Sequence, residues 1–177
     1  VVYLVVWGAG EKNVTTAAAS YKFEAEGSAT GDCTEHDAED SNDYIVDFAE
    51  FEIDERHVES YGVYIIGAQD ADNHYLSLQI YAPEGLVAGE YPILEDSEEA
   101  YVISGELDLN EGQIYGSFAG NLKASGQITI PLWLFVDGKV IVNADGTIDV
   151  AAVNCAGAKI LCHLGADVPE DGIAINF

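Results

Sequence analysis

Positive charge is almost missing from this chain. Six Lys and Arg residues stand against 32 Asp and Glu, a formal net charge of −26. That deficit argues against nucleic-acid binding, whose affinity comes from basic side chains set against phosphate. The same repulsion acts against anionic lipid. Long hydrophobic runs are missing too. None approaches the ~18 apolar residues of a membrane-spanning helix, so the chain is not expected to be transmembrane. Methionine is absent, even at position 1, which suggests a processed chain with room for a signal peptide upstream.

Cysteine is scarce and odd in number: Cys33, Cys155 and Cys162. An odd count defines no disulfide framework, and buried free thiols are the expectation. Cys33 and His36 have a zinc-like spacing that Cys162 and His163 would complete. Adjacent strand residues point to opposite faces, which speaks against that site. Catalytic signatures are missing as well. There is no G-x-S-x-G elbow, no H-E-x-x-H, and no Gly-rich loop leading from a strand into a helix. The chain is not expected to be an enzyme.

What is present is alternation. Apolar residues make up 49% of 177 and aromatics 10%, enough for one folded domain over 1–177. In HYLSLQIY, Leu76, Leu78 and Ile80 share a face, opposite Tyr75, Ser77, Gln79 and Tyr81. That is a half-buried strand. In QITIPLWLFV, Ile128, Ile130, Leu132, Leu134 and Val136 share one face, Trp133 and Phe135 the other. A strand apolar on both faces is covered on both sides, and Pro131 marks an edge or a bulge. In DYIVDFAEFEID the apolar parity changes after Phe48, which a bulge at Ala49–Glu50 would repair.

Asp137-Gly138 and Asp145-Gly146 are hairpin signals. With a turn at Asn154 to Gly157, they predict a four-strand antiparallel meander over 127–164. Ala88-Gly89 predicts another hairpin. A short helix is expected within Lys12–Ala19. VVYLVVWG, at 1–8, has no polar face and must be shielded on both sides. Either it lies centrally in its own sandwich, or it is donated to a neighbouring subunit. The fold expectation is an all-β, antiparallel two-sheet sandwich, with a closed lipocalin-like barrel as the alternative.

Two segments carry candidate sites. Tyr75, Tyr81 and Trp133 lie opposite the aliphatic stripes, where flat aromatic surfaces could stack on sugar rings. Asp70, Asp72 and Asn73 form an Asp-x-Asp-Asn turn with calcium-type oxygen ligands. The loop at 31–43 adds six carboxylates. Ca2+ is thus the one cofactor in view, and none is required.

Residues 74–164 resemble a β-domain of exported lipoproteins from gut Bacteroidetes. The matching elements are Leu76 and Leu78, the Ala88-Gly89-Glu90-Tyr91-Pro92 turn, Gly138–Asn143, Asp145–Val150 and Asn154–Ile160. The resemblance covers roughly half the chain and implies export to the cell surface or the extracellular space. Such proteins often carry a lipidated Cys ahead of the β-domain. The functional expectation is a non-enzymatic, glycan- or protein-binding protein. The alternative is a filament subunit that self-associates through residues 1–8.

Overall fold

Alternation becomes strand over much of the described part of the chain. The computed structural model describes residues 2–7, 16–21, 38–108 and 110–165. Two compact units emerge: Val1–Glu26 with Asp167–Phe177, and Gly27–Ala166.

In the first unit, β1 (Val2–Trp7) pairs antiparallel with β2 (Thr16–Tyr21), Val2 opposite Tyr21 and Trp7 opposite Thr16. Within VVYLVVWG, Val2–Trp7 therefore pairs with a strand of the same chain. It does so in a two-stranded ladder, not as the expected central strand of a larger sheet, among the described residues. Residues 16–19 of the expected helix are strand. Pairing with a Val-rich partner overrides the helix preference of three alanines. The rest of that stretch lies outside the described residues.

The second unit is a sandwich of two leaves. One leaf runs β3 (Tyr44–Phe48), β15 (Lys159–Leu164), β14 (Ile148–Val153), β13 (Asp137–Val142) and the first half of β7 (Gly89–Leu94). The other holds β4 (Phe51–Asp54), β5 (Val63–Gln69), β6 (His74–Tyr81), β8 (Tyr101–Ile103), β11 (Phe118–Asn121) and β12 (Trp133–Leu134). Strand β7 joins the leaves. Its Gly89–Pro92 half pairs with β13, and Ile93 and Leu94 pair with β8. The sheet is curled and open, ending among the described residues at β3 on one leaf and at β4 and β12 on the other. A closed barrel is excluded. A one-turn helix, α1 (Val58–Tyr61), and the hairpin of β9 (Glu106–Asp108) with β10 (Gln113–Tyr115) complete the unit.

The expected all-β sandwich is there, and its strands pair mainly antiparallel; two pairings are parallel, β3 with β15 and β7 with β8. Three strands of the predicted meander hold: β13, β14 and β15. The fourth does not. Strand β12 begins only after Pro131 and pairs with β11. Asp137-Gly138 is accordingly no hairpin turn. Gly138 lies inside β13 at φ 120°, where a Cβ would come within 2.2 Å of the Ala151 carbonyl oxygen, so only glycine fits. The turn at Asp145-Gly146 is real, with Gly146 N–H donating to the Asn143 carbonyl. Ala88-Gly89 makes no hairpin either, because β7 does not pair with β6.

The parity change at Ala49–Glu50 is no bulge. The chain leaves the edge of one leaf at Phe48 and enters the edge of the other at Phe51. The inward parity resets because the inward direction reverses.

Core positions follow the stripes. Leu76, Leu78 and Ile80 meet Val140, Val150 and Ile160 of the facing leaf between the sheets. The 132–135 segment lies between two apolar clusters. Trp133 and Phe135 enter the main core, while Leu132 and Leu134 join Ala38, Leu107 and Phe118 in a second cluster. That is the physical reason for a strand without a polar face. Ile130, expected on the same stripe, is 60% exposed because strand structure has not begun there.

Candidate functional site

Strand β6 carries two of the three aromatic candidates, Tyr75 and Tyr81. Its inward Leu76, Leu78 and Ile80 are fully buried; of its outward residues, Tyr75, Gln79 and Tyr81 are half-buried and Ser77 is buried. Cross-strand register sets their neighbours. Tyr81 stands opposite Val63 on β5 and Tyr101 on β8, and Gln79 stands opposite Ile65. Tyr81 and Tyr101 rings lie 5.5 Å apart and tilted. At the other end, Tyr75 meets Phe118 at 5.8 Å and flanks the second cluster. The two tyrosines are six positions apart along the strand, roughly 20 Å. The outward row beside them ends at the β4 edge with Glu52 opposite Gly67 and Asp54 opposite Ile65.

Trp133 does not join this surface. It is 6% exposed, its ring lies 4.6 Å from Tyr44, and its indole N–H donates to the Asn42 carbonyl at 2.7 Å. Its expected role in ligand stacking is corrected. The face opposite Leu132 and Leu134 is the main core, since both sides of this strand are covered. Of the three aromatic candidates, two share a face and the third is core.

The turn Asp70, Asp72, Asn73 closes β5 onto β6. Asp70 Oδ1 accepts the backbone N–H of Asp72 at 2.9 Å and of His74 at 2.8 Å. Its Oδ2 lies 2.6 Å from His74 Nδ1. Burial raises the Asp70 pKa, but the hydrogen bonds from His74 outweigh it and hold the carboxyl below its ordinary range. Asn73 supplies the positive φ of 68° that the turn needs. The Asp70 carboxylate is thus engaged by its own turn. No group of three or more His, Cys, Asp or Glu side chains is arranged to hold a metal among the described residues. Residues 31–37 of the acidic loop lie outside them.

A second Asp–His pair spans β14 and β15. His163 Nδ1 lies 2.7 Å from Asp149 Oδ1, and Asn143 Nδ2 donates to Asp149 Oδ2 at 2.8 Å. An Asp–His pair is part of a hydrolytic triad, which also needs a nucleophile on the imidazole. The nearby Thr147 hydroxyl is engaged by Asp145 and Asn143 instead.

Sequence reasoning missed a buried polar junction. Asn154, fully buried, donates through Nδ2 to Glu39 Oε2 and to the Asp40 carbonyl, each at 2.7 Å. Its Oδ1 accepts Ala158 N–H at 2.8 Å. Glu39 Oε2 also accepts Leu134 N–H at 3.2 Å. Nearby, Tyr44 crosses between leaves, its hydroxyl 3.2 Å from the carbonyl oxygens of both Tyr75 and Gly120. Burial pushes the Tyr44 pKa up. The only sequence signal for this junction was Asn154 at a turn, which is equally the mark of a solvent-exposed loop.

Cysteine chemistry also departs from expectation. Cys155 is disulfide-bonded, and its partner lies outside the described residues. Cys162 is a buried free thiol, as expected, with its pKa pushed up to about 12 by burial. No protein-family model, curated protein or solved structure matches the chain.

Proposed function

We propose that this is an exported, non-enzymatic binding protein whose contact surface is the outer face of β4, β5 and β6, and that its ligand is a glycan. The observation that carries this reading is the outward side of β6. There Tyr75, Gln79 and Tyr81 are half-buried beside a fully buried aliphatic stripe. Flat aromatic surface with side-chain amide and carboxylate groups close by is the chemistry that holds a pyranose ring. Tyr81 is the better anchor, because Tyr101 braces it from the neighbouring strand.

Two further points support export. A disulfide at Cys155 suits an oxidising compartment, and residues 74–164 resemble exported lipoprotein β-domains. A net charge of −26 favours neutral or amino sugars over uronic acids. The test is electrophoretic retardation of the full chain in gels containing neutral, cationic or anionic polysaccharide. A neutral or cationic one should retard it. Tyr81→Ala should weaken that interaction about tenfold, the size of one lost stacking contact. If no polysaccharide retards the wild type, the glycan reading fails.

A further inference from the structure

One side of the sandwich presents two sheet edges in succession. Strand β3 has β15 as its one neighbour, and β4 has β5, among the described residues. A strand with a single neighbour keeps half its backbone donors and acceptors available for another strand. The side chains along this edge are not neutral. From Asp43 to Glu55 there are six carboxylates and no basic residue, and Arg56, next in the chain, pairs with Asp54. Between them Ile45 is 66% exposed and Ile53 43%. On β3 the outward alternation reads Asp43, Ile45, Asp47: acidic, apolar, acidic. Asp43 accepts Lys159 N–H through Oδ1, which fixes the start of the strand. Asp47 stands opposite His163, whose imidazole is held by Asp149.

We infer that the edge of β3, which has one strand neighbour among the described residues, receives an extended, lysine- or arginine-rich segment of another polypeptide by strand addition. Main-chain hydrogen bonds would supply affinity, and alternate side chains would supply selection. A basic–apolar–basic alternation on the incoming strand would place opposite charges beside Asp43 and Asp47 and an apolar group beside Ile45. Directly opposed unlike charges stabilise a strand pair, and like charges destabilise it. A second copy of this chain is the wrong occupant for that reason. It would bring the same carboxylates to the same edge, on a body that also carries −26. This surface is separate from the outer face of β6, and the inference does not depend on the glycan reading.

The test uses the full chain and two labelled synthetic peptides at ~0.15 M salt, where exposed charges beyond about 8 Å are screened. One peptide alternates Lys and Val. The other has the same charge, with its central Val replaced by Pro, which cannot donate to a ladder. Fluorescence anisotropy should give an affinity at least about tenfold higher for the first peptide. Ile45→Asp and Asp47→Lys, both at exposed positions, should each weaken its binding while leaving the circular dichroism melt unchanged. Equal affinity for the two peptides would reduce the effect to attraction by a polyanion and overturn the inference. No binding, or binding unaffected by Asp47→Lys, would overturn it as well. So would concentration-dependent dimers that Ile45→Asp abolishes, since they would identify a second copy as the occupant.

Discussion

At the scale of single residues, position in the sandwich decides chemistry more than residue type does. Cys155 and Cys162 lie seven positions apart, yet one is disulfide-bonded and the other is a buried thiol with its pKa pushed up to about 12. A thiol so buried stays protonated and out of reach of reagents. The expected outcome with a thiol-reactive dye is no labelling of the native protein. One thiol per chain should appear in denaturant, and three after reduction. Three thiols in denaturant without reductant would show that the disulfide does not form.

Asp70 carries a pH-dependent share of stability. Its folded pKa lies below its ordinary value of about 3.9. The contribution is therefore complete above that value, and it is lost as pH falls through the folded one. Below about pH 4, chemical denaturation should find the wild type losing stability more steeply than Asp70→Asn. Parallel slopes would mean that Asp70 is not depressed by its turn. Asn154→Ala removes a donor to Glu39 and the acceptor for Ala158 N–H. Each buried group so affected costs about 1–3 kcal/mol, which urea unfolding would register as a lower midpoint at constant m-value.

At the scale of elements, the two-faced segment 132–135 links the main core to the second cluster. Leu132, Trp133, Leu134 and Phe135 are all no more than 6% exposed and alternate between the clusters. Leu134→Ala should cost about 2–5 kcal/mol, from lost burial plus the cavity left behind. A thermal melt unchanged by that substitution would place the strand elsewhere. Strand β7 has a comparable linking role. A strand paired with one leaf at its start and the other at its end is how a single curled sheet makes a sandwich without closing into a barrel. Period-two alternation made β6, β14 and β15 legible in the sequence, since each shows one face inward along its whole length. It could not reveal the partners of β7, whose side chains alternate in the ordinary way while its neighbours change from β13 to β8. The same limit misplaced Trp133: parity told that Trp133 opposes Leu134, but not that both directions lead into apolar clusters.

At the scale of the whole molecule, acidity is the dominant property. With 32 acidic and six basic residues, the folded state confines charge that the unfolded chain spreads apart, and this self-repulsion is relieved by screening. Raising NaCl from about 0.01 M to 0.15 M shortens the Debye length from ~30 Å to ~8 Å. The melting temperature of the full chain should rise over that interval. A flat or falling response would mean that favourable ion pairs outweigh the repulsion, although exposed pairs such as Lys139–Glu90 contribute little. The same field bears on binding. It disfavours acidic partners at every surface of the protein, including the β6 face and the β3 edge.

The sequence by itself determined that the protein is built of strands, which residues of each strand share a face, and where the tight Asp145-Gly146 turn falls. Those are local matters, set by the two-residue period of extended backbone and by the positive φ that glycine tolerates. The candidate site was legible to the same depth. The outward parity of Tyr75 and Tyr81 could be read from HYLSLQIY, and Trp133 was given the same role on equal grounds. Only the tertiary structure decided which face was covered by a second apolar layer. It also decided that the chain crosses between leaves at Ala49–Glu50, that β3 and β15 run parallel, and that Asn154 meets Glu39 from 115 positions away. Such contacts follow from how strands stack and which neighbours they find. Alternation fixes the direction of a side chain, and the partner waiting in that direction comes from a distant part of the chain.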